Sequence, residues 1–172
     1  LCNDARLEQR DGRWRSVGDP TEGALLVLAH KGGVEQEHAE RAAPRVREFP
    51  FDSERRRMCT VQALPSGAFE VLVKGSPEAV LEACATFDDE GRPVAMRSDV
   101  ADAVRRDVER LAGEGLRVLA LGRRELVAIP ASPAEAEHGL ELLGLVGMAD
   151  PVWPEVPDAI ARWLPRCPTC HA

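Results

Sequence analysis

A lysine lies where a predicted strand meets a predicted helix, and the residue types at this junction could hold an anion. The run Phe69-Glu70-Val71-Leu72-Val73 predicts a strand. After it, Ser76 is a suitable helix N-cap and Pro77 fits the first helical position. Free backbone N–H groups, the helix dipole and the Lys74 ammonium would together favour a phosphate group. The alternative is a surface lysine beside an ordinary helix cap.

A glutamate in the first turn of another predicted helix is the second candidate. Asp19 is suited to the N-cap of this helix, Pro20 to its first position, and Gly32 follows its end. Glu22 then stands at the third helical position, where a glutamate can close a capping box. Glu22 is therefore either a capping residue only or a carboxylate that also serves a binding site.

A predicted β-hairpin brings further candidates together. Residues 58–64 and 68–74 predict two strands, and the glycine-containing loop between them is typical of a hairpin. If Leu64 faces Ala68, the antiparallel register places Met58 opposite Lys74. One end of the hairpin would then carry an aromatic ring, a thioether and two cations, supplied by Phe51, Arg56, Met58 and Lys74. These are the groups that a nucleotide site needs.

Arg117 is a charged residue within an apolar run. Residues 116–121 predict a buried strand, in which a guanidinium needs a partner. Arg117 is either a strand-edge residue in water or an anion ligand that faces the cluster at the hairpin end. The charged residues 54–57, in contrast, are typical of a solvated loop.

Strands and helices must position these candidates. Further strands are predicted at residues 14–17, 45–49 and 140–148, and a turn is predicted at residues 50–53. Further helices are predicted at residues 35–43, from Pro77 to about Cys84, and after Ser98, which would cap the last of them. An apolar stripe on this last helix is expected to face the core, on Val100, Val104, Val108 and Leu111.

Composition limits the class of protein. The chain has 172 residues, of which 44% are hydrophobic and 30% charged, as is ordinary for a globular protein. Its net charge of −7 argues against nucleic acid or an anionic membrane surface as the main partner. We find no apolar run long enough to span a bilayer and no signal-peptide pattern. The odd number of cysteines, most of them widely spaced, suits reduced thiols in a cytosolic setting.

The ends of the chain indicate a piece of a longer protein. The chain starts without Met, and its composition changes at Asp150-Pro151. We therefore expect one domain over residues 1–149, followed by a hinge and a tail over residues 150–172. The tail motif Cys167-Pro168-Thr169-Cys170-His171 fits haem attachment or zinc binding, but a cut or added sequence is the favoured interpretation.

Several nucleotide-binding and catalytic motifs do not occur. Neither Gly-Lys-Ser nor Gly-Lys-Thr is present, which excludes a Walker A loop. A dinucleotide-binding glycine fingerprint and a Ser/His/Asp nucleophile elbow are also missing. A nucleotide site in this chain would therefore have to be of another kind.

Taken together, the motifs resemble the nucleotide-binding domain of P-type cation-transporting ATPases, in the branch of the calcium and sodium pumps. The resemblance covers residues 1 to about 162, with the motifs in the family's order. They are Cys2-Asn3-Asp4-Ala5, Gly18-Asp19-Pro20-Thr21-Glu22-Gly23-Ala24-Leu25, Phe49-Pro50-Phe51-Asp52-Ser53, Arg57-Met58, Lys74-Gly75-Ser76-Pro77-Glu78, Gly115-Leu116-Arg117-Val118-Leu119-Ala120 and Gly144-Leu145-Val146-Gly147-Met148-Ala149-Asp150-Pro151. The His-Pro pair that marks heavy-metal pumps does not occur, and the richness in arginine and alanine indicates a GC-rich, bacterial genome.

The resemblance implies an α+β fold, an antiparallel β-sheet flanked by helices, and a site for ATP. Six residues would surround the base, namely Glu22, Phe51, Met58, Lys74, Gly75 and Leu119. Among them Glu22 would bond the adenine amino group, Phe51 would stack on the ring, and Lys74 would line the deep pocket and close its floor with Gly75. Arg117 would reach the phosphates together with Arg56, which stands where the family usually has lysine.

The resemblance also implies what the chain needs from elsewhere. The phosphorylated aspartate motif and the magnesium-binding aspartates of the family are absent, so we expect no catalytic or metal-ligating residue here and no turnover by this chain alone. ATP, as Mg-ATP in the full-length protein, would be presented to an aspartate in a separate phosphorylation domain. That domain and an actuator domain would be partners within one membrane protein, with this domain at the cytoplasmic face. The alternatives are a self-sufficient phosphohydrolase and a scaffold or regulatory domain without nucleotide affinity.

Overall fold

The computed structural model of the chain describes residues 1–10 and 12–149. The strands in this part are β1 (Arg6–Arg10), β2 (Arg13–Val17), β3 (Arg45–Asp52), β4 (Arg57–Ala63), β5 (Phe69–Gly75), β6 (Cys84–Asp89), β7 (Arg92–Ala95), β8 (Arg117–Leu126) and β9 (Leu140–Met148). The helices are α1 (Pro20–Lys31), α2 (Gln36–Ala42), α3 (Pro77–Ala83), α4 (Ser98–Gly113) and α5 (Pro133–Ala136). The predicted hinge at Asp150-Pro151 and the cysteine motif of the tail lie outside the described residues.

One sheet of seven strands organises the fold. Its order is β3-β4-β5-β8-β9-β6-β7, while β1 and β2 pair as a separate hairpin. Neighbouring strands are antiparallel except β6 and β9, which run parallel. Helices α3 and α4 pack on the sheet, and α1 packs against β1 and β2. The fold is therefore α+β, a mostly antiparallel sheet flanked by helices, as predicted.

The hairpin of β4 and β5 has the predicted register. Met58 pairs with Lys74, and the N–H of Leu64 donates to the carbonyl of Ala68 at 2.9 Å. Strand β8 continues the sheet on the other side of β5, with Ala120 opposite Gly75. As a result, β3, β4, β5 and β8 each have one end at the same border of the sheet, which is the border formed by strand ends and not by an outer strand.

The prediction for β3 needs correction. A turn was expected over residues 50–53, yet the strand continues through Pro50 to Asp52. Proline is tolerated there because β3 is an edge strand, and the pairing with β4 is irregular between Phe49 and Asp52. The hairpin of β6 and β7 was not predicted.

Side-chain caps set the starts of two helices as predicted. Asp19 accepts hydrogen bonds from the N–H groups of Thr21 at 2.8 Å and Glu22 at 3.2 Å. Ser76 accepts from the N–H of Ala79 at 3.4 Å. Helix α4 differs, because Ser98 lies within the helix and the N-cap is Arg97, which makes no side-chain cap bond. Its apolar stripe is half-buried, with Val104 packed against the core.

The core lies between the sheet and α3. It combines valines of the central hairpin with a valine of α3 and leucines of β9, namely Val61, Val71, Val73, Val80, Leu140 and Leu142. These side chains are at most 2% exposed. Within the described residues, no helix has the length and apolar character needed to cross a bilayer.

Candidate functional site

A single cleft of about 820 Å³ is lined by all eight residues predicted for the site. Helix α1 contributes one of them, β3 and the turn after it two, β4 one, β5 two and β8 two. In chain order they are Glu22, Phe51, Arg56, Met58, Lys74, Gly75, Arg117 and Leu119. These residues are distant in sequence and meet because the ends of the four strands lie side by side, facing the start of α1.

The deep end of the cleft holds a buried ion pair. Lys74 is 9% exposed, and its ammonium donates to Oε1 of Glu22. Oε2 of Glu22 accepts from the N–H groups of Asp4 at 2.9 Å and Ala5 at 3.0 Å. A carboxylate has about four acceptor positions, so Glu22 retains about one for a further donor. The Glu22 carboxylate therefore binds Lys74 and the segment before β1, and it does not close a capping box with the N–H of Asp19.

The segment that precedes β1 holds Glu22 in place, and the sequence reasoning did not assign this role to it. Asn3 is 6% exposed and donates from Nδ2 to the carbonyl of Glu22 at 2.8 Å. Its Oδ1 accepts from the N–H of Ala5 at 2.9 Å. Asn3 thus ties the segment whose N–H groups bind the carboxylate to the helix that carries Glu22. The asparagine in the motif Cys2-Asn3-Asp4-Ala5 was the available signal.

Gly75 is required by a close approach of two strands. A Cβ at this position would lie 2.5 Å from the Cβ of Arg57 and 2.6 Å from the carbonyl oxygen of Arg56. Contacts this short do not occur between ordinary side-chain and backbone atoms, so β4 would have to move away from β5. The glycine therefore closes the floor of the cleft by letting the backbone of Arg56 and Arg57 lie against it.

The walls of the cleft are apolar near the ion pair. Met58 is 4% exposed and lies opposite Lys74 on the neighbouring strand, while Leu119 is half-buried at the start of β8. Phe51 is 65% exposed and lines the cleft from β3. A large exposed ring at the side of an apolar cleft is suited to stacking on a planar ligand.

The neighbouring thiol adds to the apolar character of this end. Cys2 points its Sγ at the carbonyl of Met58, 3.7 Å away. Burial raises the pKa of Cys2 above its ordinary value of 9.0. The thiol is therefore neutral at pH 7, and the buried charges here are those of Lys74 and Glu22.

Two guanidinium groups lie at the open end of the cleft. Arg56 is exposed and comes within 3.9 Å of Glu78. Arg117 is also exposed, and its Nη1 donates to Oγ1 of Thr21 at 3.1 Å. Arg117 thus stands at the strand edge in water and lines the cleft at the same time, so the two alternatives for this residue are compatible.

Seven further residues line the cleft and were not among the predicted site residues. They are Asp4, Gly18, Asp19, Thr21, Glu48, Pro50 and Ser76. Most of them lie within or beside the motifs already identified, which was the signal that could have found them. Among the described residues, no three His, Cys, Asp or Glu side chains are grouped so as to hold a metal ion.

A sequence model of the family described as "P-type ATPase, cytoplasmic domain N" matches residues 1–155 of the chain. This range contains all fifteen residues that line the cleft.

Individual relatives agree with this match. The chain is 35% identical over 161 residues to "Calcium-transporting ATPase" of Bacillus subtilis, which covers 93% of this chain and 18% of that protein. It is 38% identical over 164 residues to "Cation-transporting ATPase pma1" of Synechocystis, again covering 93% and 18%. It is 38% identical over 172 residues to "Probable cation-transporting ATPase F" of Mycobacterium tuberculosis, covering 99% and 18%. The chain thus spans about a fifth of the length of these relatives.

Proposed function

The chain belongs to the family of P-type ATPase cytoplasmic N domains, and on this premise we propose that it binds ATP in the cleft between α1 and the ends of the four strands. The adenine lies at the deep end beside Lys74 and Glu22. The phosphates extend to the rim, where Arg56 and Arg117 stand.

The distribution of polarity along the cleft is the observation that carries this proposal. A planar, apolar base with a few polar atoms suits an end that has Met58, Leu119 and one remaining acceptor on Glu22. A polyanion suits an end that has two exposed guanidinium groups. The cleft volume of about 820 Å³ lies within the range of ligand pockets of about 300–1,000 Å³.

Each base-side residue has a role that its surroundings permit. Glu22 accepts a hydrogen bond from the adenine amino group with its free position, because Lys74 and two N–H groups occupy the others. Phe51 stacks on the ring from the exposed side. Gly75 keeps the floor flat, since any side chain there would displace β4 from β5.

In the full-length protein, we propose that this domain delivers the γ-phosphate of Mg-ATP to an aspartate of a separate phosphorylation domain. Residues 1–149 form the nucleotide-binding domain in this proposal, and the connection to the phosphorylation domain begins at Asp150-Pro151. The relatives are named as calcium- or cation-transporting ATPases. The proposal therefore places this domain at the cytoplasmic face of a membrane protein that moves a cation, with the actuator domain as a further partner in the same chain.

Titration of the chain with ATP tests the proposal, with binding followed by calorimetry or amide chemical shifts. Phe51→Ala is the sharpest variant, because Phe51 is 65% exposed and we expect its truncation to leave the fold intact. We expect ATP affinity to fall about tenfold or more, since stacking of a base on an aromatic ring contributes about 1–3 kcal/mol. Val127→Ala is the control, because Val127 is 95% exposed and does not line the cleft.

Two outcomes would contradict the proposal. An unchanged ATP affinity in Phe51→Ala would show that the adenine does not stack on Phe51, and the base would then not lie at the assigned end of the cleft. No binding at millimolar ATP would instead support a scaffold or regulatory domain. Phosphate release measured in the same samples distinguishes the remaining alternative, because a self-sufficient phosphohydrolase would release phosphate steadily and this chain is expected not to.

A further inference from the structure

Three consecutive arginines lie in the turn after β3 and at the start of β4, and the outer two do not behave as the solvated loop that the sequence predicted. Arg55 donates from Nη1 to Oε1 of Glu137, and Arg57 donates from Nε to Oε2 of the same carboxylate at 2.7 Å. The side chain of Glu137 is 1% exposed, whereas those of Arg55 and Arg57 are 24% and 19% exposed. One buried carboxylate thus binds the two outer arginines of the three.

The outer arginines are anchored at a second point each. Arg55 donates from Nη2 to the carbonyl of Pro50 at 2.7 Å, and Arg57 donates from Nη1 to the carbonyl of Ala79 at 2.7 Å. Glu137 itself lies just after α5, and its N–H donates to the carbonyl of Pro133 at 2.8 Å. The arginine segment is therefore tied to β3, α3 and the connection after β8 at once.

The middle arginine is held in an unusual backbone conformation. Arg56 has a φ of 52°, in the left-handed region that a residue with a side chain rarely adopts. Its N–H donates to the carbonyl of Asp52 at 2.6 Å, and its carbonyl accepts from the N–H of Ser76 at 3.0 Å. Its side chain lines the cleft, which Glu137 does not. A conformation of this kind persists only where the surroundings enforce it.

We propose that Glu137 is a positioning residue for the phosphate end of the cleft, because it binds Arg55 and Arg57 and thereby directs Arg56 into the cleft. This inference rests on the proposed function, in which Arg56 contacts the phosphates of ATP. Glu137 does not line the cleft itself, so it reaches a ligand only through the residues that it binds, and Arg55 and Arg57 are those that flank Arg56.

Removing the Glu137 carboxylate should therefore change the affinities for ATP and for adenosine to different extents. Without the carboxylate, Arg55 and Arg57 lose their shared partner, the backbone at Arg56 can leave the left-handed region, and the Arg56 side chain no longer points into the cleft. The hydrogen bonds that hold Glu22 and Lys74 at the base side do not involve this segment, which meets the base end through the backbone of Arg56 and Arg57 against Gly75. ATP affinity therefore falls by a larger factor than adenosine affinity.

A double-mutant cycle tests the inference. We would measure ATP and adenosine affinities for the wild type, Glu137→Gln, Arg56→Ala and the double variant, with Glu109→Gln on the exposed face of α4 as the matched control. Glu137→Gln is expected to weaken ATP about tenfold, the scale of one charge-assisted hydrogen bond, and to change adenosine less than twofold. In the Arg56→Ala background, Glu137→Gln should have no further effect on ATP.

Each other outcome overturns the inference. A parallel loss of ATP and adenosine affinity would mean that Glu137 only supports the fold, and a full effect of Glu137→Gln in the Arg56→Ala background would mean that it does not act through Arg56. If Glu137→Gln does not fold, Arg55→Gln takes its place in the cycle, since Arg57 still pairs with Glu137, and Arg106→Gln is its control. A wild type that binds neither ligand would overturn the proposed function and this inference together, whereas ATP binding that is insensitive to Glu137→Gln overturns this inference alone.

Discussion

Lys74 and Gly75 are adjacent in sequence but meet different physical demands at the cleft. A buried ammonium is tolerated at Lys74 because the Glu22 carboxylate binds it directly. Gly75 has no side chain because the backbone of Arg56 and Arg57 occupies the space of a Cβ. Replacing Lys74 leaves a buried carboxylate without its cation, so a loss of binding in such a variant also reflects a change in stability. The exposed Phe51 gives the cleaner test of ligand contact.

At Gly75, substitution by alanine is expected to lower the free energy of unfolding by about 1–3 kcal/mol, the usual cost of overpacking. Urea denaturation of the chain measures this change in the free energy of unfolding. Gly113→Ala is the matched control, because a Cβ at the end of α4 would meet nothing within 4 Å. Alanine there should leave stability unchanged or raise it by up to about 1 kcal/mol. Equal effects of the two substitutions would show that the strands do not approach as closely as described.

Helix α1 contributes both to the stability of the fold and to the candidate site. Its N-cap Asp19 lines the cleft, its first turn carries Glu22, and Thr21 accepts a hydrogen bond from Arg117. Burial acts against ionisation of Asp19, but hydrogen bonds from Glu22 and Thr21 outweigh it and lower the pKa of Asp19 below its ordinary value of 3.8. The charged cap is thus favoured by the folded state.

Removing this cap should therefore have a pH-dependent cost. Asp19→Ala is expected to lower the free energy of unfolding by about 1 kcal/mol at pH 7. Because the pKa of Asp19 is lowered on folding, its contribution is complete well above pH 3.8 and is lost as the pH falls through the folded-state pKa. The difference between wild type and Asp19→Ala should therefore shrink in acid.

Asp19→Asn is the control for this prediction, since asparagine caps about as well as aspartate and does not titrate. The stability difference between Asp19→Asn and Asp19→Ala should stay constant between pH 7 and pH 3 in denaturant melts. A wild-type advantage over Asp19→Ala that is equally constant would contradict the role of the ionised cap.

At the scale of the whole molecule, the core and the cleft occupy different parts of the same sheet. The core is centred on β4, β5 and β9 with α3 against them, whereas the cleft lies where β3, β4, β5 and β8 end. A change in the core should thus lower stability without changing the charges of the cleft. Ligand binding and stability can be perturbed separately by choosing residues from the two regions.

Leu140 is suited to a test of this separation because it is fully buried at the start of β9. Leu140→Ala should lower the free energy of unfolding by about 2–5 kcal/mol through lost burial and an unfilled cavity. Leu143→Ala on the same strand should cost clearly less, since Leu143 is 37% exposed. Calorimetry at a temperature where Leu140→Ala remains folded should give wild-type ATP affinity. A fall in ATP affinity in proportion to the fall in stability would instead show that the core and the cleft are coupled.

Local signals in the sequence were sufficient for much of the fold. Asp19 and Ser76 cap helices because their side chains reach N–H groups only two or three residues away. The register that places Met58 opposite Lys74 follows from a short loop and the two-residue period of strands. The strands β6 and β7 were not predicted because they are short and form a hairpin at one side of the sheet. The residues of β7 are exposed, so its sequence does not need the alternation of apolar and polar residues that marks a half-buried strand.

The sequence by itself determined the family, eight of the fifteen residues that line the cleft and the hairpin that carries the deepest of them, because motifs and short-range geometry depend on neighbouring residues. Only the tertiary structure decided that Glu22 is held by Lys74 and by the N–H groups of Asp4 and Ala5. It also decided that the arginines beside Arg56 are bound by a carboxylate 80 and 82 residues further along the chain. The physical reason is that a charge selects its partner by distance in space, and that distance depends on the order in which strands join the sheet.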